Sequence, residues 1–292
     1  MYILSKKKLL FLYLCLASLL IPQENQTKEV EFLRIEKGAL QTAIYTMSSK
    51  NLEIKLKIIG VIHVGEVAYY KNIYKITKEL DYVYYEGIQM ENSWLSSPKA
   101  FFLQTSVNSS KKDIQNISTF QNEFARYFDL VEQTEYLKPR ANWINADVKF
   151  SDFLHILKNL EINLEQLSQN LALNTKVWLE QDNAPEDTVT IQDPREVVVQ
   201  KYKRKMARYL IRSAKELCYD ENMKLPREAI IIARNKVALT YLDEKLKSQV
   251  PLEIGLLYGA AHIPHFVEVM QNHYNFTIEQ IEWLDAWRLD IN

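Results

Sequence analysis

The sequence predicts an α/β fold: a central mixed sheet built from two halves, each bearing a G-x-x-H tetrad, with a helix-rich insertion between them. Three observations predict it. Residues 54–62, 67–80 and 81–86 read as strand, helix and strand, a βαβ unit whose strands run parallel. Residues 252–258, 262–271 and 276–283 repeat the order strand, helix, strand near the end of the chain. Between these halves, from about 92 to 225, apolar residues recur at helical rather than alternating spacing.

The elements follow in order. Residues 1–21 carry Lys6, Lys7 and Lys8 and then an apolar run from Leu9 to Ile21. Thirteen helical residues reach only about 20 Å, short of a hydrocarbon core of about 30 Å. This segment therefore reads as a secretory signal or a short membrane anchor, and residues 22–292 as one exported domain, periplasmic, extracellular or membrane-anchored. Cys15 offers lipidation as a further route, although Leu14 is bulky for such a site. After a polar stretch at 22–29, Phe32, Leu33 and Ile35 mark a short strand, and Leu40, Ala43, Tyr45 and Met47 a second. Ser48 to Asn51 supplies turn chemistry. Ile54 to Ile62 is apolar enough to be buried on both faces. Val67 to Leu80 places Tyr70, Ile73, Tyr74 and Thr77 on one helix face, and Asp81 to Glu86 returns as an aromatic strand.

In the insertion, helical spacing covers 119–131, 151–158, 160–173 and Arg195 to Tyr219, with an acidic loop from Asn174 to Pro194. Pro226 starts a helix over 227–247. There is no internal repeat and no heptad run.

Composition narrows the function. The 292 residues hold 36 basic and 37 acidic side chains, which argues against a general nucleic-acid binder. Without Lys6, Lys7 and Lys8 the balance is 33 to 37; the acids gather near 180–193 and the bases near 201–212. Two cysteines, Cys15 and Cys218, exclude a disulfide framework or a cysteine-rich zinc module. Phosphate-loop, dinucleotide-fold, nucleophile-elbow and H-E-x-x-H signatures are all absent.

The tetrads Gly60-Val61-Ile62-His63 and Gly259-Ala260-Ala261-His262 each follow an apolar strand and precede a helix. Ligands in open α/β sheets gather at that strand edge. Glu86 ends the strand after the first helix and emerges at the same rim. Two imidazoles and a carboxylate there suit a divalent cation, or an acid and base for metal-free hydrolysis. Taken singly, each histidine also suits a plain helix cap. On helix 227–247, Arg234 and Asn235 follow Ile231 by three and four positions, toward its apolar stripe. A buried arginine requires an anion, so Arg234 orients Glu86, clamps an anionic substrate, or snorkels to the helix edge.

Ile59-Gly60-Val61-Ile62-His63-Val64-Gly65-Glu66, Ala68-Tyr69-Tyr70 and Tyr84-Tyr85-Glu86 resemble the first half of the TraB/Tiki superfamily. Arg234-Asn235 and Tyr258-Gly259-Ala260-Ala261-His262 resemble its second half, in the same order. The resemblance covers roughly residues 53–90 and 227–285. It implies pseudo-symmetric halves and a metal-dependent hydrolase, a peptidase by analogy with the Tiki metalloproteases. By that resemblance His63, Glu86 and His262 form the core of the site and ligate a divalent ion such as manganese, cobalt or zinc, with Arg234 and Asn235 in support. The substrate would be a peptide or small molecule. The competing expectation is a non-catalytic exported protein that sequesters a peptide or metal-bearing ligand at the same rim. One departure stands out: Ala233 precedes Arg234 where members often carry glutamate, leaving Glu66 or Glu228 as substitutes.

Other residues give weaker signals. Asp147, closing the segment Asn142 to Asp147, is read either as approaching the site or as a helix entry. His265 is read as a polar surface position or a supporting group, and His155 and His273 belong to no constellation. Lys201, Lys203, Arg204, Lys205, Arg208 and Arg212 read as a solvated helix face, or as a contact for anionic lipid or an acidic partner.

Overall fold

The computed structural model describes residues 29–49, 52–89, 124–163, 177, 181–182, 184–247 and 250–290. The chain divides into two compact units, Met1–Val30 and Glu31–Asn292, and the secondary structure described here belongs to the second. The expected signal or anchor at 1–21 lies outside the described residues, as does most of the helix expected over 160–173. Among the described residues no helix is long and apolar enough to cross a membrane.

The fold is α/β around a seven-stranded mixed sheet. Its axis is the long strand β2 (Ala39–Ser49). One edge of β2 pairs antiparallel along all of β9 (Phe276–Arg288). The other edge is shared by β1 (Leu33–Glu36) and β3 (Leu52–Val61), both antiparallel. From β3 the sheet continues through β8 (Leu252–Gly259), β5 (Tyr82–Tyr85) and β7 (Trp143–Asn145), every pair parallel. The expected parallel relation of β3 and β5 is present, but β8 lies between them. The two halves are thus interleaved, the second half's strand filling the gap in the first half's βαβ unit.

The parallel strands are apolar runs because both faces are covered: Ile58, Ile59, Leu256 and Leu257 are almost wholly buried. Helix α1 (Val67–Lys78) lays Tyr69, Tyr70, Ile73 and Thr77 against the sheet. Tyr74, expected on that face, sits at its margin, where its ring meets Trp143 and Arg140. Beyond β5, a small antiparallel pair joins β4 (Val64–Gly65) to β6 (Val131–Glu132), followed by α2 (Gln133–Tyr136). The helix expected over 119–131 therefore gives way at its end to a strand, because Val131 and Glu132 hydrogen-bond to the backbone just past His63. Helix α3 (Phe150–Asn159) follows, and Glu161 takes a left-handed φ of 56° where its chain turns away.

Helix α4 (Arg195–Tyr219) has the expected bounds; of the six bases expected as a solvated face Arg212 is exposed, whereas the other five turn to protein partners. Lys201 pairs with Asp193, Arg204 with Asp187, and Arg208 with both Asp182 and Asp187, all at 2.6–2.7 Å. Lys203 is buried and lies 3.5 Å from Glu66. The acidic partner of this helix is the loop that precedes it, folded back along it as a clasp.

The helix expected over 227–247 is present as one helical run, α5 (Lys224–Arg227), a π turn (Glu228–Ile232) and α6 (Ala233–Leu246) in succession. The wider turn inserts one residue into the helical register just ahead of Arg234. Ala229 in that turn packs on Phe153 and Leu157 of α3. After β8, a 3-10 turn (Ala260–His262) leads into α7 (Ile263–Tyr274).

Candidate functional site

The four parallel strands β3, β8, β5 and β7 end at one rim: Val61 pairs with Gly259, and Tyr85 with both Leu257 and Asn145. Just past those ends stand His63, His262, Glu86 and Asp147. The geometry of the rim follows from how each strand leaves the sheet. At Gly60, an added Cβ would lie 2.5 Å from Ile263 Cδ1 and 3.3 Å from Ala260 Cα, so glycine lets the two turns approach each other. At Gly259 an added Cβ would lie 3.1 Å from Glu86 Oε2, and the Gly259 N–H donates to that oxygen at 2.5 Å. The glycine of the second tetrad thus makes room for the carboxylate and binds it.

Glu86, Arg234 and Asp147 form a buried ion triad. Arg234 Nη2 lies 2.7 Å from Glu86 Oε1 and 2.5 Å from Asp147 Oδ2, while its Nε donates to Asp147 Oδ1 at 3.0 Å. Asp147 also accepts from the Gly87 and Val148 N–H groups at 2.9 and 2.8 Å. Arg234 Nη1 faces the Ile230 carbonyl at 3.5 Å. The guanidinium is therefore turned to protein acceptors, a brace between two strand ends. Burial works against the Glu86 charge, but Arg234, His262 and His63 outweigh it and hold the carboxyl well below the usual carboxylate range. Burial likewise opposes the charge on Arg234, and Glu86 and Asp147 reverse that, raising its pKa.

His262 is 3% exposed and Asn235 0%. The His262 Nδ1–H donates to Asn235 Oδ1 at 2.5 Å. Its Nε2 faces Glu86 Oε1 at 3.6 Å. The Tyr258 ring lies against the imidazole, centroids 5.3 Å apart, and its hydroxyl donates to the Ala146 carbonyl. His262 makes no side-chain cap bond to α7, and Glu66, not His63, occupies the N-cap of α1. His262 holds the N-cap position of α7, but neither tetrad histidine caps its helix through its side chain.

His63 is exposed. Its carbonyl accepts from the Gln133 N–H at 2.7 Å and its Nδ1 lies 3.3 Å from Gln133 Oε1. The turn beneath it is held by α1, whose Tyr69 and Tyr70 hydroxyls donate to the Gly60 and Ile62 carbonyls at 3.2 and 2.9 Å.

Glu86, His262, Arg234 and Asn235 thus come together as one buried group, with His63 at its open side. Asp147 proves to be an integral member, which the sequence only half signalled. Gln133 gave no sequence signal. Ala233 has no acidic replacement among the two residues considered: Glu66 accepts from the Arg288 N–H at 2.6 Å and faces Lys203, and Glu228 pairs with Lys236 at 3.0 Å.

Among the described residues no group of three His, Cys, Asp or Glu side chains is placed so that it could hold a metal ion. In donor chemistry, however, the residues fit one. His262 Nε2 and Glu86 Oε1 face each other at 3.6 Å, a nitrogen and an oxygen donor of the kind that a proton or a divalent cation bridges. The carboxamide oxygens of Asn235 and Gln133 face the Nδ1 atoms of His262 and His63, the side on which ligating imidazoles are held by an oxygen acceptor. No protein-family model, curated protein or solved structure matches the chain.

Proposed function

We propose that this chain is a metal-dependent hydrolase of the TraB/Tiki type, acting at the rim where its four parallel strands end, with peptides as the substrate class. The observation that carries the proposal is the His262–Glu86 pair: a buried imidazole oriented by Asn235, whose Nε2 faces a carboxylate held ionised by Arg234. His262 and Glu86 would hold the ion, with His63 as the third donor. When bound, the ion would supply Lewis acidity to a substrate carbonyl and a lowered pKa for attacking water.

The roles of the chain's own groups follow from their settings. Glu86 is a weak proton acceptor, since its proton is already driven off well below neutral pH. Its role is electrostatic and positional. His63, exposed at the rim, would offer the ion its third donor on the side that substrate and water reach. Arg234 keeps Glu86 and Asp147 in place, and Asn235 orients His262. Export by way of residues 1–21 belongs to the same proposal and would bring the site to extracellular or periplasmic peptides.

The test is a peptide-library cleavage assay on residues 22–292 with added manganese, cobalt or zinc, alongside direct measurement of ion binding. Cleavage is expected with at least one ion, and to fall at least about 100-fold in His262→Ala, Glu86→Gln and His63→Ala. If no ion gives turnover while peptide binding survives all three substitutions, the protein is a binding module and the hydrolase reading is lost.

A further inference from the structure

Helix α4 meets both tetrad turns along one side. Lys203 is buried and lies 3.5 Å from Glu66, the N-cap of α1 and three residues past His63. The Cys218 thiol donates to the carbonyl of Ala261, next to His262, at 3.3 Å, and the helix packs on the Ala260–His262 turn. These two contacts stand about 22 Å apart along the helix axis. Lys203, Ala207, Leu210, Ala214 and Cys218 follow one another at helical spacing and share one side. The helix therefore spans the sheet end from one turn to the other, and the middle of this row looks into the gap between them. Lys203 and Ala207 are buried, whereas Leu210 and Ala214 are half-buried, as are Ile211 and Leu217 beside them. The basic side chains point elsewhere: Arg204, Lys205 and Arg208 grip the acidic clasp, and Arg212 and Lys215 are exposed. Between the two turns the row presents only apolar groups.

We propose that this row is the specificity wall of the rim, where Leu210 and Ala214 receive an apolar side chain of the bound peptide. The inference rests on the hydrolase reading and narrows its substrate class to peptides with an apolar residue beside the cleaved bond. Position supports it, because both ends of the wall are fixed to the turns that carry His63 and His262. Access supports it too: His63 is exposed, so the gap is entered from solvent. Chemistry sets the selection. An apolar side chain gains by leaving water against Leu210, whereas a charged one loses hydration and finds no partner on that side of the helix. The wall is also held in advance of binding. The clasp grips the other side of α4 through Asp182 and Asp187, so little ordering remains to be done when the peptide arrives.

The experiment reads binding apart from cleavage, by fluorescence anisotropy of end-labelled peptides on the full chain in chelator. Peptides centred on leucine or phenylalanine are expected to bind about tenfold more tightly than those centred on aspartate. Leu210→Asp is expected to abolish that preference and Leu210→Met to keep it. Arg212→Asp, on the exposed side of the same helix, is expected to leave it unchanged, which separates loss of the wall from a new charge on α4. Thermal unfolding reports whether each variant is folded. If Leu210→Asp does not fold, Ala214→Phe supplies the same test by filling the gap, and phenylalanine-centred peptides should then bind about tenfold more weakly. Absence of an apolar preference in the wild type overturns the proposal, and so does a preference that the folded wall variants retain. Apolar-selective binding without cleavage by any ion supports the wall and overturns the hydrolase reading. Cleavage with no apolar preference does the reverse.

Discussion

The two G-x-x-H turns begin from the same four-residue pattern and from strand ends that pair in register, yet they reach opposite states. His262 is enclosed by Asn235, Tyr258 and the Glu86 carboxylate. His63 faces solvent, and its side-chain partner Gln133 belongs to the insertion. The tetrad itself places a histidine at the rim in both cases. Its neighbours decide whether that histidine is a fixed part of the framework or an accessible group. A site with one closed and one open turn has a rigid end, which holds geometry, and a reachable end, which meets the substrate.

The closed turn should dominate stability. Arg234→Leu leaves Glu86 and Asp147 buried without a counter-charge, and the unfolding free energy should drop by about 3–5 kcal/mol. Removing the open imidazole by His63→Ala should change it by no more than about 0.5 kcal/mol. Urea denaturation of the two variants measures both. A large loss for His63→Ala beside a small one for Arg234→Leu would reverse the assignment of rigid and open ends.

Much of this contrast was legible in the sequence, but not its cause. The strand–helix–strand order and the position of Glu86 at a strand end placed three side chains at one rim, because parallel strands share an edge. Asp147 was harder to read. It stands two residues past β7, as His63 stands two past β3, but β7 is only a three-residue strand within a helical insertion and carries little periodicity. The π turn was not legible at all, since Glu228–Ile232 continues the apolar pattern of an unbroken helix. The basic residues of α4 were visible as charge, whereas their pairing with Asp182, Asp187 and Asp193 depends on the loop folding back. Gln133 is one polar residue among many until β4 and β6 pair.

Acid should act on the closed turn in two successive windows. Burial and its neighbours leave His265 with a pKa of about 4 instead of its ordinary 6.5. As pH falls between those values the unfolded chain binds a proton that the folded chain refuses, so stability falls with pH. Glu86 is depressed despite its burial. Its contribution is complete above the ordinary carboxylate value of 4.5 and is lost as pH falls toward the lower folded value. In each window one linked proton gives a slope of at most about 1.4 kcal/mol per pH unit. Denaturation midpoints measured from pH 8 to 3 should show both losses in the wild type and in His63→Ala. His265→Gln should keep only the lower one. A wild-type profile flat between pH 6.5 and 4 would show that His265 is solvated, and the closed turn correspondingly looser.

The smallest effect tests the open end itself. Gln133 is buried, but its side chain makes a long contact with His63 Nδ1, 3.3 Å against 2.5 Å for Asn235 with His262. Replacing it by leucine keeps the volume and removes the carboxamide, so the loss should stay within about 0.5–1.5 kcal/mol. The His262 resonances should not move, because no bond of that turn passes through Gln133. The His63 imidazole should become freer, which would appear as narrower side-chain resonances and faster chemical modification at neutral pH. A loss of several kcal/mol, with the His262 signals shifted as well, would mean that the insertion braces both turns together. The rim would then be one rigid body, and substrate access would require a movement of the insertion in place of a histidine already open to solvent.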